Sequence, residues 1–123
     1  MTVTGAQSKG IKSETGITLS GGTITVLNSG AAVLVASGLG YDPSYCSAIK
    51  CDADILLSGA AVTINTTVLA GKGISSDGSI TMTAGSLNIT NSGNGATYNN
   101  ELGVKEAYVA TCLSADVDLI LSG

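Results

Sequence analysis

Four segments of the chain align with one another without a gap, and this self-similarity limits the fold more than any local preference does. They are 9–26 (KGIKSETGITLSGGTITV), 47–64 (SAIKCDADILLSGAAVTI), 72–89 (KGISSDGSITMTAGSLNI) and 111–123 (TCLSADVDLILSG). Ile11, Ile49, Ile74 and Leu113 fall in one column, Ile17, Ile55, Ile80 and Leu119 in a second, and Leu19, Leu57, Met82 and Leu121 in a third. Ile24, Val62 and Leu87, followed by Val26, Ile64 and Ile89, continue the register. Within each segment the apolar residues alternate with Thr, Ser or Asn, the period of two of half-buried strands. No stretch keeps a 3.6-residue apolar stripe for three turns, which excludes a helical fold. An antiparallel sandwich would account for the alternation but not for the shared register. The expected fold is all-β, a right-handed parallel β-helix in which each coil buries the aliphatic ladder of the one before it.

The steps between equivalent isoleucine and leucine positions are 38 (11 to 49), 25 (49 to 74) and 39 (74 to 113). The short step is the length of one bare coil. The two long steps hold the same coil plus an insertion of roughly 13–14 residues, carrying GLGYDPSY (38–45) in one case and the run from Gly93 to Tyr108 in the other. Insertions that recur at one point of a coil project from one face of a solenoid, commonly its binding face. Glycines at Gly21, Gly22, Gly59 and Gly85 mark an expected corner. Residues 1–123 read as a single solenoid domain. Residues 1–4 look like the last strand of a preceding coil, and the fourth segment stops where the first goes on with GTITV. Neither end carries a polar cap, so the chain reads as an excerpt of a longer solenoid or as a subunit whose open ends stack head to tail.

Composition narrows the function. The core must be aliphatic, because the 123 residues hold no Phe or Trp and only 4 Tyr. The net charge is −4, and all five basic residues are lysines (Lys9, Lys12, Lys50, Lys72 and Lys105), so no nucleic-acid partner is expected. The absence of His removes Ser-His and Cys-His catalysis and the usual zinc sites. No apolar run approaches the roughly 20 residues of a membrane span, and no secretory leader is visible. Cys46, Cys51 and Cys112 are read as small apolar fillers, and a Cys46–Cys51 or Cys46–Cys112 bridge would need an oxidising compartment.

The acids also form a column. Glu14, Asp52, Asp77 and Asp116 are equivalent, with Asp54 and Asp118 two residues further on. Carboxylates stacked at the roughly 4.8 Å strand spacing repel by about 1 kcal/mol in water and more near a low-dielectric wall. Hard oxygen donors at a turn suit Ca²⁺, so Asp52, Asp54, Asp77, Asp116 and Asp118 are the candidate metal ligands. The competing reading has them solvated and paired with Lys12 and Lys50. A periodic column looks architectural rather than like the split carboxylate pair of a glycosidase, and a polysaccharide lyase is the residual enzymatic possibility.

Tyr41, Tyr45, Tyr98 and Tyr108 all lie in or beside the two insertions. An aromatic ring with a polar edge can stack on a sugar face and hydrogen-bond its hydroxyls. Tyr41, Tyr98, Asn99 and Asn100 are therefore the candidate ligand-binding residues, with Asn94, Asp42 and Glu101 as further hydroxyl partners, whereas Tyr45 and Tyr108 are expected to pack the insertions onto the solenoid. Three short motifs carry nothing. Gly71-Lys72-Gly73 lacks the rest of a phosphate loop, the Asn-x-Thr sites at Asn65 and Asn88 lie within strands, and no Gly-x-Ser-x-Gly elbow is present.

The segments GKGISSDGSITM (71–82) and LSGGTITV (19–26), with GNGATY (93–98) followed by AYVATC (107–112), resemble the bacterial extracellular carbohydrate-binding domain family. That resemblance implies a calcium-binding, pectate-lyase-like parallel β-helix. It further implies non-catalytic binding of an acidic plant polysaccharide such as polygalacturonate, with Ca²⁺ bridging the carboxylates, outside the cell or at its surface. Asp77 matches the Asp-Gly motif directly; Glu14-Thr15 departs from it. Two functions are thus expected to compete: an extracellular polysaccharide-binding module, and a structural subunit that polymerises with itself into a filament.

Overall fold

The computed structural model describes residues 1–6 and 9–122. Gly123, with which the fourth segment ends, lies outside the described residues. Strand β1 (Thr2–Ala6) is followed by the first segment as β2 (Lys9–Ser13), β3 (Ile17–Leu19) and β4 (Thr23–Asn28). A hairpin of β5 (Val33–Ser37) and β6 (Gly40–Ser44) leads to the second segment, β7 (Ser47–Cys51) and β8 (Ile55–Thr66). The third segment, β9 (Lys72–Ser76) and β10 (Ile80–Asn91), follows directly. A second hairpin, β11 (Ala96–Asn99) and β12 (Lys105–Tyr108), precedes the fourth, β13 (Thr111–Ala115) and β14 (Leu119–Leu121). The fold is all-β among the described residues, none of which forms a helix long and apolar enough to cross a membrane.

Each segment gives its first strand to one sheet, in the order β13-β9-β7-β2, and the rest to another, in the order β1-β4-β8-β10-β14 with β3 also on β8. Both sheets are parallel, and their registers reproduce the sequence columns. Ile49 pairs with Ile11 and Ile74, and Ile74 with Leu113. Ile55 pairs with Ile17 and Ile80, and Ile80 with Leu119. The core lies between the sheets and is built from these columns: Ile49, Ile55, Leu57, Ile64, Ile74 and Ile80 are at most 1% exposed.

One expectation changes. Gly22 separates β3 from β4, but β8 and β10 run through Gly59 and Gly85 as single strands of 12 residues. The register slips there instead, between Met82, Ala84 and Ser86. A residue added to one strand is absorbed as a bulge, so the glycines re-aim the strand without ending it. The true corner lies after the first strand of each segment. There the Ser13, Cys51 and Ser76 side chains accept hydrogen bonds from the N–H two residues on, Thr15, Ala53 and Gly78. Cys46 and Cys51 are buried as fillers and Cys112 is exposed.

The opposite corner is held by Asn28, Thr66 and Asn91, which stack in register. Buried Asn28 donates to the Cys46 and Lys72 carbonyls, and Asn91 donates to the Gly71 carbonyl and accepts from the Gly93 N–H. Both hairpins leave the frame just beyond this corner.

Replacing Ile55 with Ala removes buried methyl groups that sit between Ile17 and Ile80 of the flanking strands. We expect a loss of about 2–5 kcal/mol, read from urea denaturation, whereas Ile120→Ala on the exposed flank should cost far less.

Candidate functional site

The two hairpins meet. The Leu39 N–H donates to the Glu101 carbonyl at 2.8 Å, although their roots lie two coils, or about 10 Å, apart. The approach requires glycine at two positions. A Cβ on Gly38, whose φ is +54°, would sit 2.6 Å from the Glu101 carbonyl oxygen, and one on Gly40 would sit 2.3 Å from those of Asn99 and Asn100. Beneath the hairpins a small apolar cluster of Ala32, Ala70 and Tyr108 fixes them to the frame, with half-buried Tyr45 and Tyr98 against it. Tyr45 and Tyr108 thus pack the insertions, as expected.

Between the hairpins lies a cleft of about 340 Å³ lined by Tyr41, Asp42, Tyr98, Asn100, Glu101 and Glu106. Tyr98 is held at both ends. Its ring meets Tyr108 edge-on at 5.6 Å and 82°, and its hydroxyl donates to Glu106 Oε2 at 2.8 Å. Asn100 Nδ2 donates to the other Glu106 oxygen at 2.9 Å, while its Oδ1 accepts the Leu102 and Val104 N–H groups. These two hydrogen bonds, that of Asn100 foremost, hold the Glu106 carboxyl below the usual carboxylate range. The hydrogen bond to Glu106 pushes the Tyr98 phenol up to about 12. The result is an aromatic ring with a fixed, neutral hydroxyl above an acidic floor.

The structure brings Tyr41, Tyr98 and Asn100 together but not Asn99. Asn99 follows Tyr98 on the strand, so its side chain points to the opposite face, away from the cleft. Glu106 escaped the sequence reading. It sits directly across the antiparallel pair from Tyr98, a partnership that appears only once the turn at Gly103, with φ of +75°, is recognised as joining two strands.

The acidic column is also assembled: the N–H groups of Asp52, Asp77 and Asp116 donate to the Ser13, Cys51 and Ser76 carbonyls of the preceding coils. Lysines stand between the acids. Lys12 Nζ lies 3.8 Å from Glu14 and 3.5 Å from Asp52, and Lys50 Nζ lies 3.7 Å from Asp52 and contacts Asp77. Asp54 accepts the Ser79 N–H at 2.8 Å and so braces the next coil. Asp116 and Asp118 make no ion pair among the described residues. Nor do any three His, Cys, Asp or Glu side chains among those residues converge as a metal site.

Because Glu106 is acidified by its donors, the Tyr98–Glu106–Asn100 unit holds through the ordinary carboxylate range and is lost as pH falls through the depressed Glu106 pKa. Glu106→Gln should return the Tyr98 phenol from about 12 toward its ordinary value near 10, measured by following the Tyr98 ring resonances with pH.

A family of carbohydrate-binding domain-containing proteins matches residues 1–95, which take in the first three segments and the β5–β6 hairpin. The chain belongs to that family. No curated protein and no solved structure gives a significant match.

Proposed function

We propose that the chain is an extracellular, non-catalytic polysaccharide-binding module that receives its ligand in the cleft between the hairpins. The observation that carries this reading is Tyr98, an aromatic ring clamped by Tyr108 and Glu106 at the wall of a polar cleft. A ring fixed in advance gives a sugar face a stacking partner without an ordering cost, and the cleft's carboxylates accept sugar hydroxyls. Family membership supports the polysaccharide as partner. The frame is read as a right-handed parallel β-helix, supported by the sequence order of the segments in both sheets and by columns that resume their register after the bulge in β10.

A neutral glucan meets no electrostatic barrier in this cleft. An acidic, pectin-like chain does, because Asp42, Glu101 and Glu106 face it. Its binding there calls for a bridging cation, and Ca²⁺ shared between the sugar and the carboxylates of Asp42, Glu101 and Glu106 is the form we propose; in the acidic column, which does not line this cleft, Asp54, Asp116 and Asp118 make no ion pair among the described residues.

Pull-down on insoluble polysaccharide tests the reading. Wild type should bind a neutral glucan equally in Ca²⁺ and in chelator, Tyr98→Ala should weaken that binding about five- to tenfold for the loss of a stacking contact near 1 kcal/mol, and the share of polygalacturonate binding that Tyr98→Ala removes should be lost in chelator. Unchanged glucan binding by Tyr98→Ala removes the cleft from the function.

A second reading has one observation in its favour. Among the described residues nothing pairs with the outer flank of β13 and β14, where Leu119, Ile120 and Leu121 are about half exposed, a surface onto which another copy could stack head to tail as a filament. Concentration-dependent growth of fibres, seen by electron microscopy, would move the function there.

A further inference from the structure

A second groove, of about 400 Å³, lies on the other side of the β5–β6 hairpin, over the outer face of the sheet that carries β2, β7, β9 and β13. Three of the chain's five lysines, Lys9, Lys50 and Lys72, line it, against Asp77 and Asp116. Register explains the concentration. Lys9, Ser47, Lys72 and Thr111 form one column, and Lys12, Lys50, Ser75 and Ser114 form the next. Lys12 and Lys50 stand beside the acidic column and are neutralised by it. Lys72 is flanked in its own column by Ser47 and Thr111, neither of which can supply a counter-charge.

The Lys72 ammonium consequently makes no ion pair and no hydrogen bond among the described residues. Its Nζ lies 3.9 Å above the Tyr45 ring centroid, which orients it without hydrogen-bonding it. The Tyr45 carbonyl already accepts from Lys9 Nζ at 2.9 Å. Burial, and then the Lys50 charge, lower the Lys72 pKa, and Asp116 and Asp77 offset this only in part. Lys72 is therefore the one uncommitted ammonium among the three lysines of the groove, which Ser75 and Ser114 also line. A compact anion seated there would complete the Lys72 shell, and the neighbouring hydroxyls can donate to it as well.

We infer that this groove binds an anionic group carried on a sugar, a uronate carboxylate or a sulfate ester, by direct contact with Lys72 and with no metal. The inference rests on the reading of the chain as a glycan binder and adds to it a second subsite with its own charge selectivity.

Calorimetry in chelator with three monosaccharides, galacturonate, galactose 6-sulfate and neutral galactose, tests it, because ligands of that size occupy one subsite at a time. In Tyr98→Ala protein, whose hairpin cleft is disabled, at least one charged sugar should bind and galactose should not; which of the two charged sugars binds more tightly tells carboxylate from sulfate ester. Lys72→Met should weaken the charged sugar at least about tenfold, as expected for loss of a charge-assisted hydrogen bond. Lys72→Arg should restore most of it, and Tyr98→Ala should leave it within about twofold. Lys72→Met strands no hydrogen-bond partner and should fold, which its melting curve checks. The inference is overturned if neither charged sugar binds in chelator, if galactose binds Tyr98→Ala protein equally well, or if Lys72→Met matches wild type. Charged-sugar binding lost in Tyr98→Ala but kept in Lys72→Met overturns this subsite and leaves the hairpin cleft standing. Loss in Lys72→Met, together with glucan binding that Tyr98→Ala does not change, removes the cleft and leaves this subsite.

Discussion

Ile55 pairs with Ile17 on one side and Ile80 on the other, and the same relation runs through every aliphatic column of the two sheets. In a parallel stack this coil-to-coil register is strongly fixed, because a slip of one residue would turn each buried isoleucine to solvent and each threonine to the core. At roughly 1.5–3 kcal/mol for each large aliphatic side chain buried, the penalty for a slip grows with the number of columns. The positions of all outward side chains follow from it. The lysine-acid edge inherits its geometry from the core, and so do the roots of the hairpins, which the Ala32, Ala70 and Tyr108 cluster and the Leu39–Glu101 hydrogen bond then hold against each other.

That inheritance has opposite consequences inside and out. Stacking like on like favours isoleucine, whereas it sets carboxylate over carboxylate at the edge. The repulsion, which at first suggests an intervening metal, is relieved along the first three coils by Lys12 and Lys50, each reaching acids of its own and the adjoining coils. Exposed pairs of this sort add only roughly 0–1 kcal/mol apiece. Their role is to cancel a penalty. The pattern stops where Ser75 and Ser114 replace the lysines of the column, and from there Asp116 and Asp118 stand without an ion pair among the described residues.

The frame was legible in the sequence because its signal repeats. Four aligned segments average out local accident, and the pairings between segments fall on the sequence columns except at the bulge around Ala84. What was misjudged belongs to single events. Gly59 and Gly85 looked like corners because glycine permits both a turn and a bulge, and only the pairing of β8 with β10 distinguishes them. The site was legible by residue type and not by geometry. Tyr98 and Tyr41 were found as aromatics in insertions, but Asn99 was included because its neighbours qualified, and alternation on β11 puts it on the opposite face. Glu106 was missed because its role depends on a cross-strand partner eight residues earlier, inside an insertion that occurs without a second copy to compare. The contact between the hairpins, separated by a complete coil without an insertion, has no sequence signature beyond the glycines at 38 and 40.

The β5–β6 hairpin separates two clefts of opposite character. Tyr41 and Asp42 face the acidic one, while Pro43, Ser44 and Tyr45 wall the one lined by lysines. The chain's net charge of −4 argues against a polyanionic ligand only if charge acts as a whole. At physiological ionic strength, interactions between exposed charges fade beyond about 8 Å, less than the spacing of two coils. A ligand in the groove therefore feels Lys9, Lys50 and Lys72 against Asp77 and Asp116 first, with the Glu106 charge, which also acts on Tyr45 in the groove wall, as a weaker contribution from the second hairpin. A ligand in the hairpin cleft feels the reverse. Since the two differ in sign while sharing one wall, the discrimination between charged and neutral sugars is a property of each cleft separately, and the total charge of the protein does not decide which glycan it can hold.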